Sequence, residues 1–417
     1  MTQNAKEICK NILIALLICS LLLLASAALP TQSVRNIPWL SRLVQPIAPL
    51  LGLTEAELTH VEEAAIVTDA AQPIAISIKN EDGRHTILWD FAALDAGFDT
   101  FSGLLAQAIN HSDSFMAVSQ VQVQTALSGD SVLLRYDAPL PATLLASWLD
   151  ADLRAALPET DTCILSAQKD HITLYMLGKQ SYAAKTALPA DALLTLTQTY
   201  EPNGSAFAYE NGWDLEPLTL LPGVKPAVPA VTVSNPCDSR YINALATALG
   251  FNPYAETRYT DDLGTTHFSE TNASLEITKD GLISLHCDGD RYTAAGIQPE
   301  ALAEAARLLT AQMLDGVPGE GRLYLSSMTR TGDNTVCGFD YYVCGVPVEA
   351  PNAAATVRFT GSRVTEISLQ LYAFSGTGKT LYPLPIAQAM AVLPAGRRLE
   401  LAYCIDADLT LSAGWSR

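Results

Sequence analysis

The sequence predicts an α+β protein: a single N-terminal membrane helix followed by repeated antiparallel hairpin–helix–hairpin units. Three features predict it. Residues Asn11–Leu29 are almost all apolar, and no charge falls between Lys10 and Arg35. After Pro73, alternating segments recur in pairs around turns rich in Gly and Asp. Between the pairs lie stretches whose apolar residues return at helical spacing.

From Ile12 the apolar run covers about 18 residues, close to the roughly 20 that a helix needs to cross a bilayer. Lipid offers no partner to an unpaired N–H or C=O, so a single spanning segment has to be a helix. Lys6 and Lys10 precede it and hold residues 1–10 on the cytoplasmic side. Residues 11–29 are then a single-pass anchor in the cell membrane, and the bulk of the chain is extracytoplasmic. Ala15, Cys19 and Ser26 fall at i, i+4 and i+11, a narrow face of small residues that lets another helix approach closely. A second reading competes. Ala25-Ser26-Ala27 is an A-x-A site behind an apolar region, which a signal peptidase would cut to release a secreted protein.

The 417 residues leave room for two or three domains, and 49% hydrophobic content allows a large core. A formal charge of −19 repels nucleic acid, anionic lipid and anionic wall polymers. Of eight cysteines, Cys9 and Cys19 lie in or beside the anchor. The other six permit three disulfides in an exported chain without requiring them. Cys337 and Cys344 share an extended segment and are too far apart to bridge unless the chain turns at Gly338-Phe339-Asp340. Several of the six sit in apolar strand patterns, where cysteine serves as a small hydrophobe.

Residues 30–72 read as a juxtamembrane stalk, with Trp39 at headgroup level and a capping box at Thr54–Glu57 opening a short helix. A first α+β domain spans 73–200. Its hairpins are expected at 74–78 with 85–89, 116–127 with 132–136, and 163–167 with 171–177. Its helices are expected at 98–109, 141–157 and 191–200. Residues 201–236 carry six prolines and read as an interdomain linker. A second domain, 237–350, opens with a helix at 239–249. Hairpins follow at 273–278 with 282–287 and at 322–328 with 335–343, on either side of a helix at 299–314. A third domain, 351–417, pairs 355–359 with 364–372 and 398–405 with 409–415 around a helix at 385–393. Such layers bury their apolar sides on one another and leave sheet faces and edges open to a partner.

Residues Ala373–Thr380 satisfy a relaxed phosphate-loop pattern with Ala in place of the first Gly. A phosphate cradle needs a helix starting at the Lys-Thr pair. Pro383 and Pro385 follow instead, so the segment reads as a flexible strand-to-helix loop. His286-Cys287-Asp288-Gly289-Asp290 gathers ligand types without the spacing that wraps zinc or calcium. No G-x-S-x-G elbow is present. The expectation is therefore no catalytic residue, no metal and no cofactor.

Several strings carry a family likeness: V-L-L-R-Y-D-A-P-L-P-A-T-L-L-A-S-W-L (132–149), L-G-F-N-P-Y (249–254) and S-L-E-I-T-K-D-G-L-I-S (274–284). A-T-V-R-F-T-G-S-R-V-T-E-I-S-L, L-A-Y-C-I-D and Trp415 near the end of the sequence add to it. With these strings and its order of elements, the chain resembles the YycH/YycI family of membrane-anchored extracytoplasmic regulators, and its length is closer to YycH. The resemblance implies a regulator of a two-component sensor histidine kinase in cell-wall homeostasis. It implies that the kinase and a second family member associate through the membrane helix, and it supplies no catalytic motif. The alternative expectation is a secreted structural or ligand-binding envelope protein.

Overall fold

The computed structural model describes residues 71–417 apart from 113, 316, 318, 320, 351–352, 392–395, 406–408 and 417. The expected tail, anchor and nearly all of the stalk, with Ala15, Cys19 and Ser26, lie outside the described residues. Among the described residues no helix is long and apolar enough to cross a membrane. They make a mixed α+β structure with seven α-helices and several sheets.

The first sheet has seven strands. They are β1 (Ala75–Asn80), β2 (Gly83–Ile87), β3 (Met116–Ala117), β4 (Ser131–Pro141), β5 (Glu159–Gln168), β6 (His171–Leu177) and β7 (Ser181–Lys185). Their order is β2-β1-β4-β5-β6-β7-β3, with every pair antiparallel. The period of two sends Ile76 to one face and Ala75 to the other. Ile76 and Ile87 meet helix α1 (Phe91–Asn110) at Gly97, where a Cβ would lie 3.0 and 2.9 Å from their Cδ1 atoms. Asp90 caps α1 by accepting from Ala93 N, so the helix starts seven residues before its expected boundary. On the opposite face Ala75, Leu133 and Ile164 share a core with α2 (Gln120–Ser128) through Val123, Ala126 and Leu127.

The α2 segment is a correction, since 116–127 was expected to be a strand. Val121 and Val123 alternate with glutamines in the period of a strand. Ser119 and Gln122 form a capping box, and Val123, Ala126 and Leu127 bury one helical face. The next helix, α3 (Ala142–Trp148), stops well short of 157. Asp150 at φ +52 reverses the chain there, and Ala151 N closes on Ala146 O at 2.9 Å. Helix α4 (Ala190–Thr197) is where the spacing places it.

The Pro-rich segment does not run free between domains. It contains β8 (Ala206–Phe207), a 3-10 turn (Ala208–Glu210), β9 (Leu220–Leu221) and β10 (Val228–Ser234). Arg84 ties it to the first sheet. Arg84 is nearly fully buried, reaches Glu210 Oε1 at 2.6 Å and Leu127 O at 3.0 Å, and lies 4.3 Å over the Phe207 ring. Asn203 covers the open edge of β2. It accepts from Thr86 N at 3.2 Å, donates through Nδ2 to Thr86 O at 2.8 Å, and its backbone N–H reaches Arg84 O at 3.0 Å. An edge strand left bare is a template for aggregation, and here a loop asparagine stands in for the next strand.

The second sheet has eleven strands: β11 (Tyr259–Thr260), β12 (Thr266–Glu270), β13 (Ala273–Ile277), β14 (Leu282–Cys287), β15 (Gly321–Thr331), β16 (Asn334–Val343), β17 (Val346–Glu349), β18 (Ala355–Thr360), β19 (Arg363–Gln370), β21 (Glu400–Ile405) and β22 (Leu411–Ser416). Its order is β11-β12-β13-β14-β19-β18-β16-β17-β21-β22, with β15 beside β16. All pairs are antiparallel except β17 with β21. Pairing of β14 with β19 and of β16 with β18 crosses the expected boundary at 350, and residues 71–417 form one compact unit. Helices α5 (Ser239–Ala248), α6 (Pro299–Met313) and α7 (Ile386–Met390) complete the fold. Residues 373–381 form strand β20, paired with β10, where a loop was expected. Gly338–Asp340 lies in regular β16, so the chain makes no turn there to bring Cys337 toward Cys344.

Asn203→Ala would leave Thr86 N–H and C=O without their partners. The expected loss is about 2 kcal/mol in urea unfolding. A change below a few tenths would contradict the edge-covering role.

Candidate functional site

The functional geometry gathers where the first sheet meets the second. Strand β15 presents Arg322 and Tyr324 on one face, two residues apart, toward α1 and β4. Arg322 grips Asp95 of α1 with two parallel bonds, Nη1–Oδ1 and Nη2–Oδ2, both 2.7 Å, and Nη1 also reaches Gln72 Oε1 at 2.9 Å. Its guanidinium lies 4.1 Å from the Phe91 ring centroid. Phe91 stacks on Tyr324, which in turn meets Tyr342 at 4.8 Å. With about a third of each side chain exposed, the Arg322–Asp95 pair contributes on the order of 1 kcal/mol. Its fork geometry matters more, because it fixes how the two sheets are set against each other.

At the end of this chain of contacts Tyr342 donates its hydroxyl to Asp137 on β4. Burial is the main influence on Asp137. Asp340 and Glu400 add like charge, the Tyr342 bond opposes them, and the carboxyl pKa rises from 3.8 to about 7. Burial and the nearby Asp137 carboxylate push the Tyr342 phenol far up, and burial pushes Tyr324 up to about 12. Two residues before Asp137, Arg135 is buried and donates to Leu218 O at 2.5 Å. Burial, with Arg398 second, brings its pKa down to about 10. Arg135, Glu400 and Tyr342 line a small cavity of about 60 Å³ walled by Leu88, Leu220 and Leu401. Away from this seam α3 meets α6, where Trp148 Nε1 donates to Glu304 Oε2 at 2.8 Å.

Beside the seam opens a cleft of about 750 Å³, lined by Trp89, Phe91, Asp95, Pro229, Gly321 and Arg322 among others. Two of its lining residues, Trp89 at φ +57 and Cys344 at φ +53, hold the left-handed backbone that side chains rarely adopt. The reason is a backbone-to-backbone approach. A Cβ on Gly345 would sit 2.9 Å from Asp90 N and 3.0 Å from Trp89 Cα. Trp89 is further held edge-on by Trp415 at 6.2 Å. Strain of this kind collects where a site needs fixed geometry. The charged side chains of the cleft already have partners: Arg322 holds Asp95, and Asp90 caps α1. The cleft therefore offers aromatic and proline walls with a fixed polar rim.

Among the described residues no three His, Cys, Asp or Glu side chains converge as metal ligands. His286 and Asp288 flank buried Cys287 at the end of β14. Nothing in the local sequence marks Asp95, Asp137, Arg322 or Tyr342 as a site. The residues they join lie 227 and 205 positions apart, and no local pattern links them.

No protein-family profile matches the sequence, and no curated protein matches it. Among solved structures, one similarity is to the dehydratase domain of PpsC from Mycobacterium tuberculosis in complex with C12:1-CoA. It has 11% identity, covers 78% of this chain and 85% of that one, and has a TM-score of 0.13. At that score the likeness carries no statement about fold or activity.

The raised pKa of Asp137 makes the fold pH-dependent. The folded state holds this proton more tightly than the unfolded chain, so its stabilisation is full below pH 4 and is lost as pH rises toward 7. Between pH 5 and 8 the loss is roughly 2 kcal/mol after allowance for partial exposure. Asp137→Asn keeps an acceptor for Tyr342 and removes the titration. Calorimetry at both pH values should show the variant gaining on the wild type at pH 8. An equal difference at both would refute the assignment.

Proposed function

We propose that this chain is a membrane-anchored, extracytoplasmic regulatory protein that binds a two-component sensor kinase and modulates it in cell-wall homeostasis. The observation that carries the reading is the uncharged run Asn11–Leu29 ahead of a large α+β body of residues 71–417. In this reading residues 1–10 stay inside, 11–29 cross once, 30–72 form the stalk, and hairpin–helix–hairpin units stand outside. Ala15, Cys19 and Ser26 meet a helix of the kinase or of a second family member. Modulation requires different contacts with two states of that partner, since proximity alone shifts no equilibrium. The aromatic cleft supports a binding role for the exported part.

A second reading, a secreted structural or ligand-binding envelope protein, is favoured by the Ala25-Ser26-Ala27 site. Membrane fractionation with N-terminal sequencing separates the two, because cleavage starts the mature chain at Ala28.

A C-terminally tagged full chain should bring down a sensor kinase from detergent-solubilised membranes. Truncation after Pro30 should retain the association, and large residues at Ala15 and Cys19 should reduce it about tenfold. Retention by 31–417 with loss in the truncate would overturn the helix-centred mechanism.

A further inference from the structure

Acidic side chains are distributed unevenly over this molecule. The chain has 44 Asp and Glu, yet none falls in 217–237 and none in 367–399. At the mean frequency of about one acid in ten, those two stretches together would hold five or six. The fold brings them side by side. β10 and β20 pair antiparallel from Ser234 opposite Ala373 to Val228 opposite Leu381. One face of this ribbon is core, with Val228, Val231, Val233 and Phe374 buried. The phosphate-loop-like segment supplies the exposed part of β20, including Lys379.

At the end of the ribbon Val224, Tyr382 and Leu384 are 72%, 64% and 59% exposed. Lys225 Nζ lies 5.0 Å over the Tyr382 ring, and Leu384 O accepts from Trp415 Nε1 at 2.7 Å, which holds this end in place. Two carboxylates line the neighbouring cleft, Asp90 and Asp95, and Asp95 is paired with Arg322.

We propose that this acid-free ribbon end docks on the surface of an anionic bilayer. Tyr382, Leu384 and Val224 enter the headgroup layer, and Lys225 and Lys379 face lipid phosphates. Tyrosine is favoured at that depth because its ring is apolar and its hydroxyl stays wet. Lysines there gain from the negative surface potential, which repels the acidic remainder of the body. Only a face stripped of carboxylates can approach such a surface, and this selects one orientation. Side chains that project singly from a ribbon suit a fluid headgroup layer better than a preformed protein groove. The proposal rests on the tethered reading, because a tether keeps the ribbon at high effective concentration near lipid.

The test uses the full chain in phosphatidylcholine vesicles, with and without about a third phosphatidylglycerol. Amide exchange of 222–230 and 375–385 should slow about threefold or more on the anionic vesicles. The surface variant Lys225→Glu with Lys379→Glu should lose that difference while the sheets keep their protection. Equal exchange on both vesicles would overturn the proposal. So would slowing that appears only on addition of soluble polyglutamate, which would assign the ribbon to an acidic polypeptide. If the chain leaves neutral vesicles on flotation, the tether fails on its own account. The released chain then decides the ribbon: lysine-dependent flotation with anionic vesicles supports it, and no flotation refutes it.

Discussion

Two large sheets meet along a seam in which polar and aromatic contacts run beside aliphatic ones, and the architecture of residues 71–417 depends on the geometry those directional contacts set. Arg322 holds Asp95 across the seam, Phe91 stacks on Tyr324, Tyr324 meets Tyr342 at a tilt, and Asp137 accepts a hydrogen bond from the Tyr342 hydroxyl. A greasy seam would tolerate sliding. A fork of two 2.7 Å bonds and a ladder of rings tolerate one arrangement. The cleft beside the seam inherits that rigidity, and two of its walls are built on backbone that only a fixed neighbour could hold in place.

The seam also explains why the Pro-rich segment is structural. Proline cannot donate to a ladder, which argues against a central strand but leaves edge positions open. Pro229 occupies such a position in β10, next to a register shift between Pro229 and Val231. Upstream, Asn203 and Glu210 serve as partners for the backbone of Thr86 and the side chain of Arg84. What composition marks as a connector is a strap laid over one sheet that then contributes a strand beside the other.

Much of the α+β arrangement was legible in the sequence, and the reasons are local. The hairpins β1–β2, β13–β14 and β15–β16 carry strict alternation around Gly-containing turns. Helices α5 and α6 carry apolar residues at helical spacing, α6 opening on Pro299. The structure departs from the local pattern where two local signals compete. Val121 and Val123 show the strand period, and the Ser119–Gln122 capping box won. Gly376 and Gly378 suggest a loop, and pairing with β10 won. The site itself was illegible, because Asp95 with Arg322 and Asp137 with Tyr342 are encounters between distant strands and helices.

This seam makes the two sheets one cooperative body. The direct measurement is amide exchange of the full chain in detergent at pH 5 under rising urea, comparing β5 in the first sheet with β19 in the second. Both strands should open in a single transition with the same midpoint and the same free energy. Exchange of β5 through a lower-energy opening while β19 stays protected would show two independent domains and contradict it.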